Sequence, residues 1–147
     1  MIPKATMADD PPTSNSPGAD NPLEEYKAFI DALVRPSRFA QWARRGPWPD
    51  YETDLPAEQV NELLSELTPE RRELLARMLE RAEDSGTLAV LYLLDVRSYR
   101  LSRESVELPH PFPYGQTSLW GSWSYRKRGD AWPQGPGEEF ESMKNED

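Results

Sequence analysis

The chain of 147 residues contains no cysteine and a single histidine, His110. Disulfides and thiolate metal sites are thereby excluded, and any metal bound through the histidine would need carboxylates for all its other ligands. No metal and no cofactor is expected. Also missing is any apolar run near the ~18 residues that a membrane-spanning helix requires. Met1-Ile2-Pro3-Lys4-Ala5-Thr6 carries one lysine and no apolar stretch behind it, so no signal peptide is expected either. These absences, with the reducing compartment that a cysteine-free chain suits, point to a soluble cytoplasmic protein. No glycine-rich phosphate loop is present, and no spacing nominates a nucleophile for His110, which reads as a loop residue in Pro109-His110-Pro111-Phe112-Pro113.

Positive charge is scarce: 17 Lys and Arg stand against 26 Asp and Glu, for a net charge of −9. The imbalance is local. Residues 32–49 hold Arg35, Arg38, Arg44 and Arg45 and no acid, whereas residues 50–70 hold Asp50, Glu52, Asp54, Glu58, Glu62, Glu66 and Glu70 and no base. The plain account is that these acids line the solvated faces and first turns of ordinary helices. The functional account is an acidic face, Asp54, Glu58, Glu62 and Glu66, that steers a basic protein partner into contact.

Helical periodicity is strongest between Leu55 and Leu94. Within Thr68–Asp84, residues Leu74, Leu75, Met78, Leu79 and Ala82 recur at the period of one helix face. Thr68 is a good N-cap, Pro69 suits the first helical position, and Gly86 marks a break. Upstream, Leu55-Pro56-Ala57-Glu58 opens a helix with Val60, Leu63, Leu64 and Leu67 as its stripe, and the short link at Leu67-Thr68-Pro69 implies a helical hairpin. Downstream, Thr87–Val96 is nearly all apolar and reads as a buried helix filling the centre. Asn21-Pro22-Leu23-Glu24 caps a helix to about Val34 with Leu23, Tyr26, Ile30 and Leu33 on one face, and Ser37 caps a second over Arg38–Arg45. Trp48 and Tyr51 sit in the loop Gly46–Asp54, with Trp48 expected to pack over the rim of the core.

Tyr99–Ser102 and Ser105–Leu108 alternate about Arg103-Glu104 as a small β-hairpin lying on the helices through Tyr99, Leu101, Val106 and Leu108. Thr117–Pro133 is the most distinctive stretch: Leu119, Trp120 and Trp123 fit a helix capped by Thr117 or Ser118 and ended by Gly129. Trp120, Trp123 and Tyr125 lie beside Arg126, Lys127 and Arg128, residue types that together stack bases and hold phosphates, so a single-stranded nucleic acid is the alternative partner. The plain account is that the tryptophans complete the core and the bases serve a helix C-terminus. A hydrolase-type enzyme reading, built from His110 and carboxylates such as Asp95 and Glu107 that would meet across helices, has no motif behind it.

The fold expected is mainly α (α+β): a compact domain of about five helices with one small β-hairpin over residues 22–133. Disordered acidic tails are expected at residues 1–21 and 134–147, whose polar composition cannot offset the entropy of ordering. The oligomeric state is left open. Leu55-Pro56-Ala57-Glu58, Arg100-Leu101-Ser102-Arg103 with Val106-Glu107-Leu108-Pro109, and Trp123, Arg126 and Gly129-Asp130-Ala131-Trp132-Pro133, taken in order, resemble a family of small uncharacterised bacterial proteins over Leu23–Pro133. That resemblance implies a bacterial cytosolic protein and no particular activity. The function expected from the residues is a non-enzymatic protein-binding module: an inhibitor, an immunity-type protein or an accessory subunit.

Overall fold

The computed structural model describes residues 21–50 and 54–146. The tail expected at residues 1–21, Asn21 apart, and Tyr51 lie outside the described residues. The described chain is mainly helical: α1 (Pro22–Leu33), α2 (Arg38–Arg45), α3 (Ala57–Glu66), α4 (Pro69–Val96) and α5 (Leu119–Lys127), with a two-stranded hairpin of β1 (Ser102–Arg103) and β2 (Val106–Glu107) and a terminal 3-10 turn, Glu141–Asn145.

Four helices begin where a side chain satisfies an otherwise orphaned first-turn N–H. Asn21 accepts from Leu23 N, Ser37 from Ala40 N, Thr68 from Arg71 N and Ser118 from Gly121 N, at 3.1–3.3 Å. Ser118 rather than Thr117 caps α5; the Thr117 hydroxyl instead bonds Ser122 Oγ at 3.0 Å. No side chain caps α3, whose N-cap is Pro56.

The expected break at Gly86 does not occur. α4 runs unbroken for 28 residues, about 42 Å at 1.5 Å per residue. A lone glycine costs a helix only ~1 kcal/mol, which the contacts on both sides of it offset. The expectation that Thr87–Val96 is buried all round also fails. Leu91 is fully buried, but Val90, Tyr92, Leu93 and Val96 are each more than half exposed, because the neighbouring helices reach only one side of α4.

Two hydrophobic clusters are strung along α4. Around its N-terminal half lie Ala40, Ala43, Trp48, Ala57, Leu64 and Ala76; Trp48 is buried as expected and stacks on Phe39 at 5.8 Å. Around its C-terminal half lie Tyr26, Ile30, Leu91, Leu108, Phe112, Leu119, Trp123 and Phe140. Each large apolar side chain buried there contributes about 1.5–3 kcal/mol.

Phe140 overturns the expectation of a disordered tail at residues 134–147. It is fully buried and stacks on Tyr125 at 5.1 Å, and Asp130 accepts bonds from the Ser142 N–H and hydroxyl at 2.7 and 2.8 Å. One aromatic ring is enough to dock an otherwise acidic stretch.

The hairpin is present, with its turn one residue later than expected. Ser102 pairs with Glu107 and Arg103 with Val106, and the turn residues Glu104 and Ser105 both take positive φ, 48° and 70°. Leu108 is buried and Leu101 packs against the core, but Tyr99, expected to face the helices, is more than half exposed.

Candidate functional site

α3 carries the acidic face. Its inner side is Ala57, Val60, Leu64 and Leu67, with Asn61 turned to the Trp48 backbone through paired bonds of 2.7 and 3.0 Å. Glu58, Glu62 and Glu66 follow at intervals of four, so they form one row directed away from that inner side. All three are exposed, as is Asp54 at the start of the segment. No cation pairs with any of the four among the described residues. Several carboxylates elsewhere are matched: Glu73 and Glu80 by Arg44 at 2.7 and 2.8 Å, Asp31 by Arg126 at 2.8 Å, Asp84 by Lys127 at 3.1 Å. Hydrogen bonds from Arg44 hold both Glu73 and Glu80 below the usual carboxylate range.

The Trp- and Arg-rich segment is brought together by α5, but apart from Trp120, which is exposed, its groups face inward or are already paired. Trp123 is buried and donates its indole N–H to Leu33 O at 3.2 Å; Trp120 is partly exposed. Tyr125 donates to Glu146 at 3.1 Å, and burial, followed by that carboxylate, raises its hydroxyl pKa. Arg126 bonds Asp31 and the Asp130 carbonyl and lies over Trp132; Lys127 lies over Trp123; Arg128 bonds Glu146 at 3.1 Å and lies over Tyr125. Each of the three cations therefore has both a carboxylate and an aromatic face, the arrangement of the plain account.

In a third constellation two residues of the enzyme reading, Asp95 and His110, meet. Asp95, in the last turn of α4, accepts from His110 Nε2 at 2.6 Å and from the first two N–H groups of α5, Leu119 and Trp120, at 2.9 and 3.1 Å. A carboxylate near a helix C-terminus is disfavoured by that helix's dipole, and here the positive end of α5 compensates it. Glu107, paired with Asp95 in the enzyme reading, bonds Arg100 instead at 2.7 Å. His110 borders a surface cavity of about 540 Å³ that Ser98, Arg100 and Glu107 also line. The Asp–His pair orients an imidazole as a general base requires. Among the described residues, no hydroxyl is hydrogen-bonded to that ring, and the pair ties the end of α4, the proline-rich loop and the start of α5 together. Behind the pair, Tyr26 and Ser122 hydroxyls bond at 2.9 Å, and burial pushes the Tyr26 pKa far above that of an ordinary phenol. The sequence signal was slight: one aspartate closing an apolar run.

Among the described residues no three carboxylate or histidine groups are placed to share a metal ion, and no helix is long and apolar enough to cross a membrane. Fold and surface together define a small, mainly helical domain with an unpaired acidic helix face and a Trp- and Arg-rich segment whose cations are internally paired. The chain belongs to DUF6547, a family of unknown function whose profile matches residues 19–134. No curated protein and no solved structure matches it.

Proposed function

We propose that this protein is a non-enzymatic binding module of the bacterial cytoplasm, an inhibitor, immunity-type protein or accessory subunit, that presents Asp54, Glu58, Glu62 and Glu66 to a basic protein partner. The observation that supports this reading is the unpaired row on α3. Three carboxylates at helical spacing with no counter-ion repel one another by a few tenths of a kcal/mol per neighbouring pair, a cost that a cationic partner converts into attraction. Such a face raises the association rate by steering and loses that advantage as salt rises.

The test is affinity capture from the source cell with the wild-type chain and with the triple variant Glu58→Lys, Glu62→Lys, Glu66→Lys. All three positions are exposed, so the variant is expected to keep its helicity. The wild type is expected to retain a stoichiometric basic protein whose binding weakens with salt, and the variant to lose it. A folded variant that keeps the same partner overturns the proposal. If instead nucleic acid dominates the eluate, the alternative based on Trp120, Trp123, Tyr125, Arg126, Lys127 and Arg128 takes its place.

A further inference from the structure

The longest helix leaves one side uncovered from end to end. Leu74, Met78, Ser85, Ala89, Tyr92 and Val96 follow one another at intervals of three, four or seven residues, so they share one face of α4. All are exposed, the four large ones by more than half. The four large apolar side chains along this face are placed symmetrically. Ser85 stands eleven residues from both Leu74 and Val96, and seven from both Met78 and Tyr92. Eleven residues are three helical turns and seven are two, so turned end for end the stripe presents its large apolar side chains to one another, with Arg81, four residues before Ser85, opposite Ala89, four residues after it.

We infer that this face is covered by a second copy of the chain, with the two α4 helices antiparallel about a two-fold axis at Ser85. Leu74 then meets Val96 of the second copy and Met78 meets Tyr92 of the second copy, while Ser85 lies at the axis and Ala89 leaves room for Arg81 of the second copy.

The flanks of α4 fit the same symmetry. On one flank of the N-terminal half, Leu75 and Leu79 pack against the cluster that includes Ala57 and Leu64 of α3. The continuation of that flank is uncovered: Gly86 and Val90 border an apolar groove with Phe29, Leu33 and Leu101, and Leu93 is more than half exposed. A two-fold axis perpendicular to antiparallel helices carries α3 of the second copy to that groove. It arrives with Leu63, which is more than half exposed and lies on the side of α3 away from Asn61 and Trp48. Leu63, Leu74, Met78, Val90, Tyr92, Leu93 and Val96 together expose on the order of 600–700 Å². That is close to the ~800 Å² each side buries in a stable interface. The contact is isologous, as closed dimers require. The row of Glu58, Glu62 and Glu66 points off the outer edge of such a dimer and stays free.

The cysteine-free chain makes the geometry directly testable. Under mild oxidation, Ser85→Cys alone is expected to cross-link to itself, because the axis passes there. Leu74→Cys alone is expected not to, and Leu74→Cys mixed with Val96→Cys is expected to give the mixed cross-link. Sedimentation of the wild type should give a dimer, and Met78→Glu with Tyr92→Glu a monomer of unchanged helicity. A wild type that stays monomeric overturns the inference and leaves the face to a different protein. A dimer that survives both glutamates, or one that cross-links through Leu74→Cys as readily as through Ser85→Cys, overturns it as well.

Discussion

The two clusters on α4 are built from opposite materials. The C-terminal one is made of large rings and branched chains: Tyr26, Ile30, Leu91, Phe112, Leu119, Trp123 and Phe140. In the N-terminal one four of the six buried residues are alanines, Ala40, Ala43, Ala57 and Ala76. Alanines bury little area but let α2 lie close against α4, and polar groups then hold the pair. Arg44 bonds Glu73 and Glu80, and Arg72 donates to Ala43 O at 2.7 Å. One half is thus held by apolar area and the other by close approach and charge, and the two are expected to fail under different conditions.

The largest effect should come from the aromatic half. Phe140→Ala removes a fully buried ring that touches Phe112, Tyr125 and Trp132 and is expected to cost about 3–5 kcal/mol, read by urea unfolding of the full chain. A loss below ~1 kcal/mol would mean that residues 134–146 do not hold the core. The alanine half is sensitive in the other sense. Ala76, fully buried, has no room for a larger residue, so Ala76→Leu is expected to cost ~1–3 kcal/mol by forcing α2 off α4. A stabilised Ala76→Leu variant would show the helices to be loosely packed there.

The contrast also explains what was legible. Caps at Asn21, Ser37 and Thr68 and the acidic row at Glu58, Glu62 and Glu66 are local patterns, and periodicity finds them. Phe140 was hidden because one ring among acids scarcely changes composition. The partners of Arg126, Lys127 and Arg128, namely Asp31, Asp84 and Glu146, come from distant parts of the chain, as does Asp95 for His110; no spacing rule joins them. Gly86 was over-read because propensity is weak beside tertiary contact.

A pH series separates the halves further. The Arg44 bonds lower the pKa values of Glu73 and Glu80, so their stabilisation is present above the ordinary carboxylate range, about pH 4.3, and is lost as pH falls. Tyr26 has its pKa raised by burial, so its contribution is complete below the ordinary phenol value, about pH 10, and is lost as pH rises through it. Arg44→Leu is expected to flatten the acid limb of melting temperature against pH while leaving the alkaline limb as it was. At neutral pH the change should be small, since these ion pairs are exposed to solvent. An unchanged acid limb would remove the clamp from the account of the N-terminal half.

The smallest effect is expected where the halves join. Gly86 is exposed, lies within α4, and has nothing within 4 Å of where a Cβ would stand. In an isolated copy, Gly86→Ala therefore adds helix propensity without a clash and should stabilise by about 1 kcal/mol. The position also borders the groove that α3 of a second copy would fill, where an added methyl is felt only on assembly. The informative comparison is the same substitution in the wild type and in the Met78→Glu, Tyr92→Glu background. A full gain in the glutamate background with a smaller one in the wild type would place a second copy against Gly86. Equal gains in both would make the glycine a simple cost to a continuous helix, and a loss in both would mean that α4 needs a weak point between its two clusters.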